Sequence, residues 1–226
     1  MANINKDGKF EAKVVIMMGP PGAGKGTHAT KLSKDLKFPH ISTGDLFREN
    51  IKKNTELGKK AKSLIEEGVL VPDDVVNEML LDYMRKNCDH LGYILDGYPR
   101  NLNQAKVFNS CLSEQSKVIV IDLIIQDSKL VDRITGRLMC RACGTPFHKT
   151  FLPPNKENIC DSCNGELYQR TDDTKDVVKK RLEVYHKETE PVLDFYKDKS
   201  IFIKIDAEQE KDKVFKDILV NITENL

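Results

Sequence analysis

Residues 14–27 read Val-Val-Ile-Met-Met-Gly-Pro-Pro-Gly-Ala-Gly-Lys-Gly-Thr. The apolar run predicts a buried strand ending at Met18, and the pattern after the glycines predicts a helix starting near Lys25. A glycine-rich turn between such a strand and helix aims several backbone N–H groups at one point, and the helix N-terminus adds positive potential. Gly19, Gly22, Gly24 and Gly26 allow unusual dihedrals and keep side chains away from a phosphate. Lys25 can reach the β- and γ-phosphates of a nucleotide, and a hydroxyl can meet Mg²⁺. Gly26 follows the lysine where Ser or Thr is usual, and Thr27 comes one place later.

Outward from this loop, short apolar runs alternate with helical patterns. His40–Ser42, Tyr93–Asp96, Val118–Leu123 and Ile201–Ile205 join Val14–Met18 as strands. The alternation predicts an α/β fold, a five-stranded parallel sheet with helices on both faces. The last helix places Val214, Phe215, Ile218, Leu219 and Ile222 on one face. Residues 173–190 form a long charged helix that Pro191 bends or interrupts. Two stretches break the rhythm. Residues 43–72 read as small helices punctuated by Gly44, Gly58 and Gly68. Residues 138–171 are rich in Cys, Pro, Asn and Gly. Both look like insertions on a nucleotide-binding core.

The 226 residues suit one α/β domain with insertions, and the charged and hydrophobic fractions of 31% and 39% suit a globular chain. A net charge of +1 gives no global electrostatic case for nucleic acid or a membrane as partner. The first nine residues lack the apolar core of a secretory signal, and position 2 is not the glycine of a myristoylation site. An intracellular, cytoplasmic chain is expected; a mitochondrial one also fits. Of 36 basic residues only eight are arginine: Arg48, Arg85, Arg100, Arg133, Arg137, Arg141, Arg170 and Arg181. In so lysine-biased a chain, each arginine is a candidate for the bidentate phosphate contacts that lysine cannot make. Arg85 and Arg141 are expected to be ordinary surface charges.

Cys140-x2-Cys143 and Cys160-x2-Cys163 have the spacing of a four-cysteine structural zinc site. The insert has too little apolar content for its own core, and zinc would supply the ordering energy. Two disulfides are the competing reading, disfavoured in an intracellular chain. His148 is not needed as a ligand. Cys88 and Cys111 are expected to be buried thiols.

Taken in order, Gly19–Thr27, Ser42-Thr43-Gly44-Asp45-Leu46-Phe47-Arg48, Asp96-Gly97-Tyr98-Pro99-Arg100, Asp132–Arg137, Arg170-Thr171-Asp172-Asp173 and Arg181 resemble the signature blocks of adenylate kinases. The resemblance covers nearly the whole chain, and the cysteine insert resembles the zinc-bearing lid of the long form of these enzymes. It implies a P-loop NTPase core at 1–42, 73–136 and 172–226, an AMP-binding segment at 43–72 and a lid at 137–171. It also implies the reaction MgATP + AMP ⇌ MgADP + ADP, with ATP, AMP and ADP as partners and a monomeric chain. The AMP phosphate is already anionic near neutral pH, with a second pKa of about 6. A side-chain base is therefore unnecessary, which agrees with the lack of any Asp-His or Ser-His constellation.

By the same resemblance, Gly22, Ala23, Gly24, Lys25, Gly26 and Thr27 hold the phosphates of ATP, and Thr27 and Asp96 hold Mg²⁺ directly or through water. Thr43, Arg48, Arg100 and Gln104 bind AMP, framed by Val69, Leu70, Val71 and Gly97. Arg133, Arg137, Arg170 and Arg181 converge on the transferring phosphoryl group, and Phe147 and Gln209 approach the ATP adenine. Other roles stay open. Thr43 could be a helix cap, Tyr98 could simply pack beside Pro99, and Asp172 and Asp173 could only pair with lid arginines. His28 is expected on the first helical turn, away from the chemistry. GTP as donor, another nucleoside monophosphate as acceptor, and a zinc-ribbon protein that uses the loop as a switch are the rival readings.

Overall fold

A computed structural model describes residues 4–226. Ala2, the position that lacks the myristoylation glycine, lies outside them. The core elements alternate as the sequence predicts. They are β1 (Lys13–Met18), α1 (Lys25–Leu36), β2 (His40–Ser42), α2 (Thr43–Lys52), α3 (Glu56–Glu67), α4 (Asp73–Lys86), β3 (Gly92–Asp96), α5 (Leu102–Cys111), β4 (Lys117–Ile124) and α6 (Leu130–Thr135). After α6 come three short strands, β5 (Arg137–Cys140), β6 (Pro146–His148) and β7 (Leu167–Tyr168). The chain then closes with α7 (Lys175–Val184), α8 (Pro191–Lys197), β8 (Ile201–Asp206) and α9 (Lys211–Asn225).

Among the described residues the strands run β2-β3-β1-β4-β8 in one parallel sheet. The central strand β1 is buried on both faces, which explains why its sequence is continuously apolar. Val14, Ile16 and Met18 pack on one side with Leu80, Phe108 and Tyr196; Val15 and Met17 pack on the other with Leu32, Ile134 and Ile218. The sheet therefore separates two apolar layers, and the C-terminal ends of β1, β2 and β3 open on the same side. No helix among the described residues is long and apolar enough to cross a membrane.

Several local expectations change. The small antiparallel sheet β6-β5-β7 was not read from the sequence, because its strands are only two to four residues long and lie among turn-forming residues. Gly44 and Gly58 lie inside α2 and α3 rather than between helices; only Gly68 ends one, as the left-handed cap of α3 with φ 74°. The break after α7 is a π turn over Tyr185–Thr189, closed by Glu190 N–H donating to Tyr185 O at 2.8 Å. Pro191 stands at the first position of α8, where its missing N–H costs nothing, so it starts a helix instead of bending one. Cys88 and Cys111 are half-buried, not buried.

Gly58 marks where α2 and α3 meet. A Cβ there would run into the Asn50 carbonyl and lie 2.6 Å from Ile51 N. Helix propensity alone makes Ala better than Gly by about 1 kcal/mol. The backbone contact reverses that sign, and Gly58→Ala is expected to destabilise the fold by about 1–3 kcal/mol, read as a lowered midpoint in thermal unfolding. A raised midpoint would mean that the α2–α3 contact yields freely.

Candidate active site

The helix that follows the glycine loop begins without a side-chain cap. Gly24, at the N-cap of α1, holds φ 98° and offers no oxygen to the first-turn N–H groups, which stay available for an anion. At the loop's start a Cβ on Gly19 would lie 2.6 Å from Leu123 O, so the loop presses against the end of β4. Gly26 is different. Its backbone is helical, with no left-handed φ, but a Cβ would sit 3.0 Å from Asp96 Oδ2. The glycine after the lysine thus serves space, not dihedral freedom: it lets the β3 carboxylate approach the loop. Lys25 Nζ donates to Gly19 O at 2.7 Å and Pro20 O at 2.8 Å, folded back over the loop. Burial, opposed in part by Asp96, lowers its pKa to about 8.

Opposite the loop, the ends of β2 and β3 build a second wall. Ser42, not Thr43, caps α2, its hydroxyl accepting from Asp45 N–H at 3.2 Å. Thr43 is thereby free to donate to Gly97 O at 2.8 Å, the same carbonyl that accepts Arg100 Nε–H at 2.8 Å. Arg100 N–H donates to Gln104 Oε1 at 2.7 Å, and the Thr189 hydroxyl donates to Arg100 O at 2.7 Å. Tyr98 is more than packing: its hydroxyl donates to Asn77 Oδ1 at 2.6 Å and fixes the start of this turn against α4.

Between the walls lies a set of guanidinium groups. Arg137, at the start of β5, pairs with Asp173, and Arg181 of α7 pairs with Asp172 and reaches Asp173 Oδ1 at 3.8 Å. The lid pairing considered for the two aspartates is therefore present for Asp173, through Arg137, whereas Asp172 pairs with Arg181 on α7, outside the lid segment. Arg48 Nε–H donates to Asp45 Oδ1 at 3.1 Å, and Arg170 reaches the same oxygen at 3.3 Å. Arg133 donates to Ala207 O at 3.2 Å. Burial, then Arg181, lowers the pKa of Arg100 to about 10; burial, then Arg48 and Arg137, lowers that of Arg170 to about 10. Arg170 Nε is buried with no hydrogen-bond partner among the described residues. A buried charged donor left in this state is costly unless an anion arrives. Arg85 is exposed, and Arg141 pairs with Glu166 on the surface at 2.9 Å.

One cavity of about 740 Å³ joins these pieces. Gly22 to Thr27, Thr43, Arg48, Val69, Leu70, Val71, Asp96, Gly97, Arg100, Gln104, Arg133, Arg137, Phe147, Arg170, Arg181 and Gln209 all line it. Sequence reasoning missed three residues beside it. His40 lies with Nε2 3.5 Å from Asp96 Oδ2. Although burial pushes the Asp96 carboxyl up, His40 and Lys25 hold it below the usual range. Asp45 acts as counter-ion to Arg48 and Arg170. Asp73 gathers three amide side chains. Each looks like an ordinary polar residue in sequence, and only the β2–β3 pairing and the α4–α5 contact reveal its place. His28 is on the first turn of α1 as expected, but it is buried, stacks on Phe215 at 6.3 Å and lines the cavity.

The cysteines meet away from the cavity floor. Their four sulfurs lie within 4.8 Å of one another, with Cys140–Cys163 at 3.5 Å and Cys143–Cys160 at 3.6 Å. A disulfide would need about 2.05 Å. A tetrahedral zinc with Zn–S bonds of about 2.3 Å spaces its sulfurs about 3.8 Å apart, so the cluster fits that metal.

Comparison with known proteins gives a consistent answer. A sequence model of the adenylate kinase family matches residues 17–201. The chain is 48% identical over 206 residues to the adenylate kinase of Caldanaerobacter subterraneus, covering 90% of this chain and 93% of that one. It is 46% identical to that of Methanocella arvoryzae (90% and 95% covered) and 48% identical to that of Streptomyces coelicolor (88% and 94%).

The pairing of Asp172 with Arg181 has a pH consequence. Burial pushes this carboxyl up, but Arg181, Arg48 and Arg170 together bring it below its ordinary value. Its contribution is then complete above the free carboxylate value of about 3.9 and is lost as pH falls through the lower folded value. Thermal midpoints should fall below about pH 4, and Asp172→Asn should flatten that acid limb while lowering stability by about 2 kcal/mol at pH 7. An unchanged acid limb would remove Asp172 from the acid response.

Proposed function

The chain belongs to the adenylate kinase family, and we propose that it moves the γ-phosphoryl group of MgATP to AMP, reversibly, giving two ADP. The observation that carries this reading is a cavity with two anion-receiving walls and a cationic bridge between them. On one wall the uncapped start of α1 and Lys25 suit the ATP phosphates. On the other, Thr43, Arg48, Gly97 and Arg100 suit the AMP phosphate. Arg133, Arg137, Arg170 and Arg181 lie between, where charge spreads over the transferring group. The orphaned Nε of Arg170 supports an anion there.

The chemistry asks little of any proton-accepting side chain. An AMP oxygen is itself the nucleophile, so the residues orient two nucleotides in line and neutralise charge. Asp96, held ionised at the end of β3 with Gly26 leaving room beside it, fits the Mg²⁺ that accompanies ATP, with Thr27 lining the same wall. That ion, when bound, draws charge from the β- and γ-oxygens. Val69, Leu70, Val71 and Gln104 suit the AMP base, and Phe147 and Gln209 the ATP base. Residues 1–42, 73–136 and 172–226 act as the core, 43–72 as the acceptor segment and 137–171 as the lid. Closure of the last two excludes water that would otherwise take the phosphoryl group, with Gly136 and Thr171–Thr174 as hinges and opening as the slow step. Adenine nucleotide balance in the cytoplasm, carried out by a monomer, completes the reading.

The test is ADP formation with ATP or GTP as donor against AMP, UMP, CMP and GMP. ATP with AMP should be fastest; a faster reaction with GTP overturns the donor assignment. Arg100→Ala should cut kcat/KM for AMP by about 10²–10³ with the fold intact. Within the lid, zinc held by Cys140, Cys143, Cys160 and Cys163 is structural: four thiolates leave no open position. Cys143→Ser should lower zinc content and the melting midpoint while leaving modest activity at low temperature. Loss of catalysis with zinc retained would contradict that role.

A further inference from the structure

Three amide side chains from the N-terminal end of α5, its cap Asn101 and Asn103 and Gln104 in its first turn, converge on one carboxylate of α4. Asp73 Oδ1 accepts from Asn101 Nδ2 at 2.7 Å and from Gln104 Nε2 at 2.8 Å, and its Oδ2 accepts from Asn103 Nδ2 at 2.8 Å. Gln104 is held from its other end as well, since its Oε1 accepts Arg100 N–H at 2.7 Å. A carboxylate can only accept and a backbone N–H can only donate. Both contacts therefore demand the same orientation of the Gln104 amide. Asp73 also turns Asn101 so that its Oδ1 faces Gln104 N–H at 2.9 Å and caps α5, which anchors the backbone of the same residue.

We propose that Asp73 is a positioning residue that sharpens this enzyme's selection of an adenine acceptor, by adding to the Arg100 N–H contact the second restraint that holds the Gln104 amide in one of its two orientations. The inference rests on the reading of Gln104 as part of the AMP site. With its two structural contacts made, Gln104 retains one N–H and one oxygen lone pair. Adenine presents an acceptor at N1 beside a donor at N6; guanine presents a donor at N1 beside an acceptor at O6. An amide fixed in one orientation matches one of these edges and opposes the other, whereas an amide free to turn over matches either. Discrimination then depends on the restraint as much as on the amide, because specificity needs the mismatched pairing to be closed off.

Asp73 also stands in the first turn of α4, where a negative charge favours the helix. Two substitutions separate that effect from positioning. Asp73→Ala removes both charge and oxygen; Asp73→Asn removes the charge but keeps one oxygen for Asn101 and Gln104. Both should lose a similar increment of thermal stability. Only Asp73→Ala should reduce the ratio of kcat/KM for AMP to that for GMP, by about tenfold, with KM for ATP unchanged. Asp73→Asn should stay within about twofold of the parent ratio. Should Asp73→Ala not fold, Asp73→Val gives the same comparison, since it too has no oxygen to accept from Gln104. An unchanged ratio in a folded Ala or Val variant overturns the proposal, as does equal loss of the ratio in Asp73→Asn. If the parent enzyme itself shows no preference for AMP over GMP, the acceptor reading fails first, before Asp73 is at issue.

Discussion

Crowding of like charges out of water is the constraint on which the rest of the molecule depends. Lys25, Arg48, Arg100, Arg137, Arg170 and Arg181 line one cavity, and several lose basicity to burial and to one another. Such a set stays folded only if anions are built in beside it. Asp45, Asp96, Asp172 and Asp173 supply them from three separate elements. The sheet provides the rigid ends of β1, β2 and β3 from which the first of these groups project. The long connections 43–72 and 136–174 carry Arg48, Arg137 and Arg170, and α7 carries Arg181.

The same constraint explains details that propensity does not. Gly26 is tolerated in a helix because Asp96 must approach it. Ser42 takes the capping duty of α2, which releases the Thr43 hydroxyl for Gly97 O. The π turn at Tyr185–Thr189 puts the Thr189 hydroxyl against Arg100 O, so an irregularity in one helix steadies an arginine on a neighbouring turn.

How much of this was legible in sequence follows from how local each feature is. The strand–loop–helix at 13–36 is written in contiguous residues, and so are the apolar runs that became β3, β4 and β8. The order β2-β3-β1-β4-β8 is non-local pairing and left no comparable trace. The positions expected to bind nucleotide do meet in one cavity, and of their counter-ions Asp96, Asp172 and Asp173 are named from the sequence; Asp45 is not, nor is Asp73 with its three amides, because such an aspartate carries its meaning only through what folds against it. Pro191 was half legible for a related reason: the interruption it marks is there, but whether a proline ends one helix or starts the next depends on the register before it. The short strands of the lid lack the length from which alternation can be read.

The arginines do not all stand ready in the same way. Arg48, Arg137, Arg170 and Arg181 already hold carboxylates, whereas Lys25, Arg100 and Arg133 lean on backbone carbonyls and form no ion pair among the described residues. Incoming phosphates must therefore trade places with aspartates at the first four groups, an exchange of one anion for another that changes local charge little. At Lys25, Arg100 and Arg133 they meet cations that no carboxylate contacts directly. The sensitivity of nucleotide affinity to ionic strength should accordingly reflect these three charges rather than all seven.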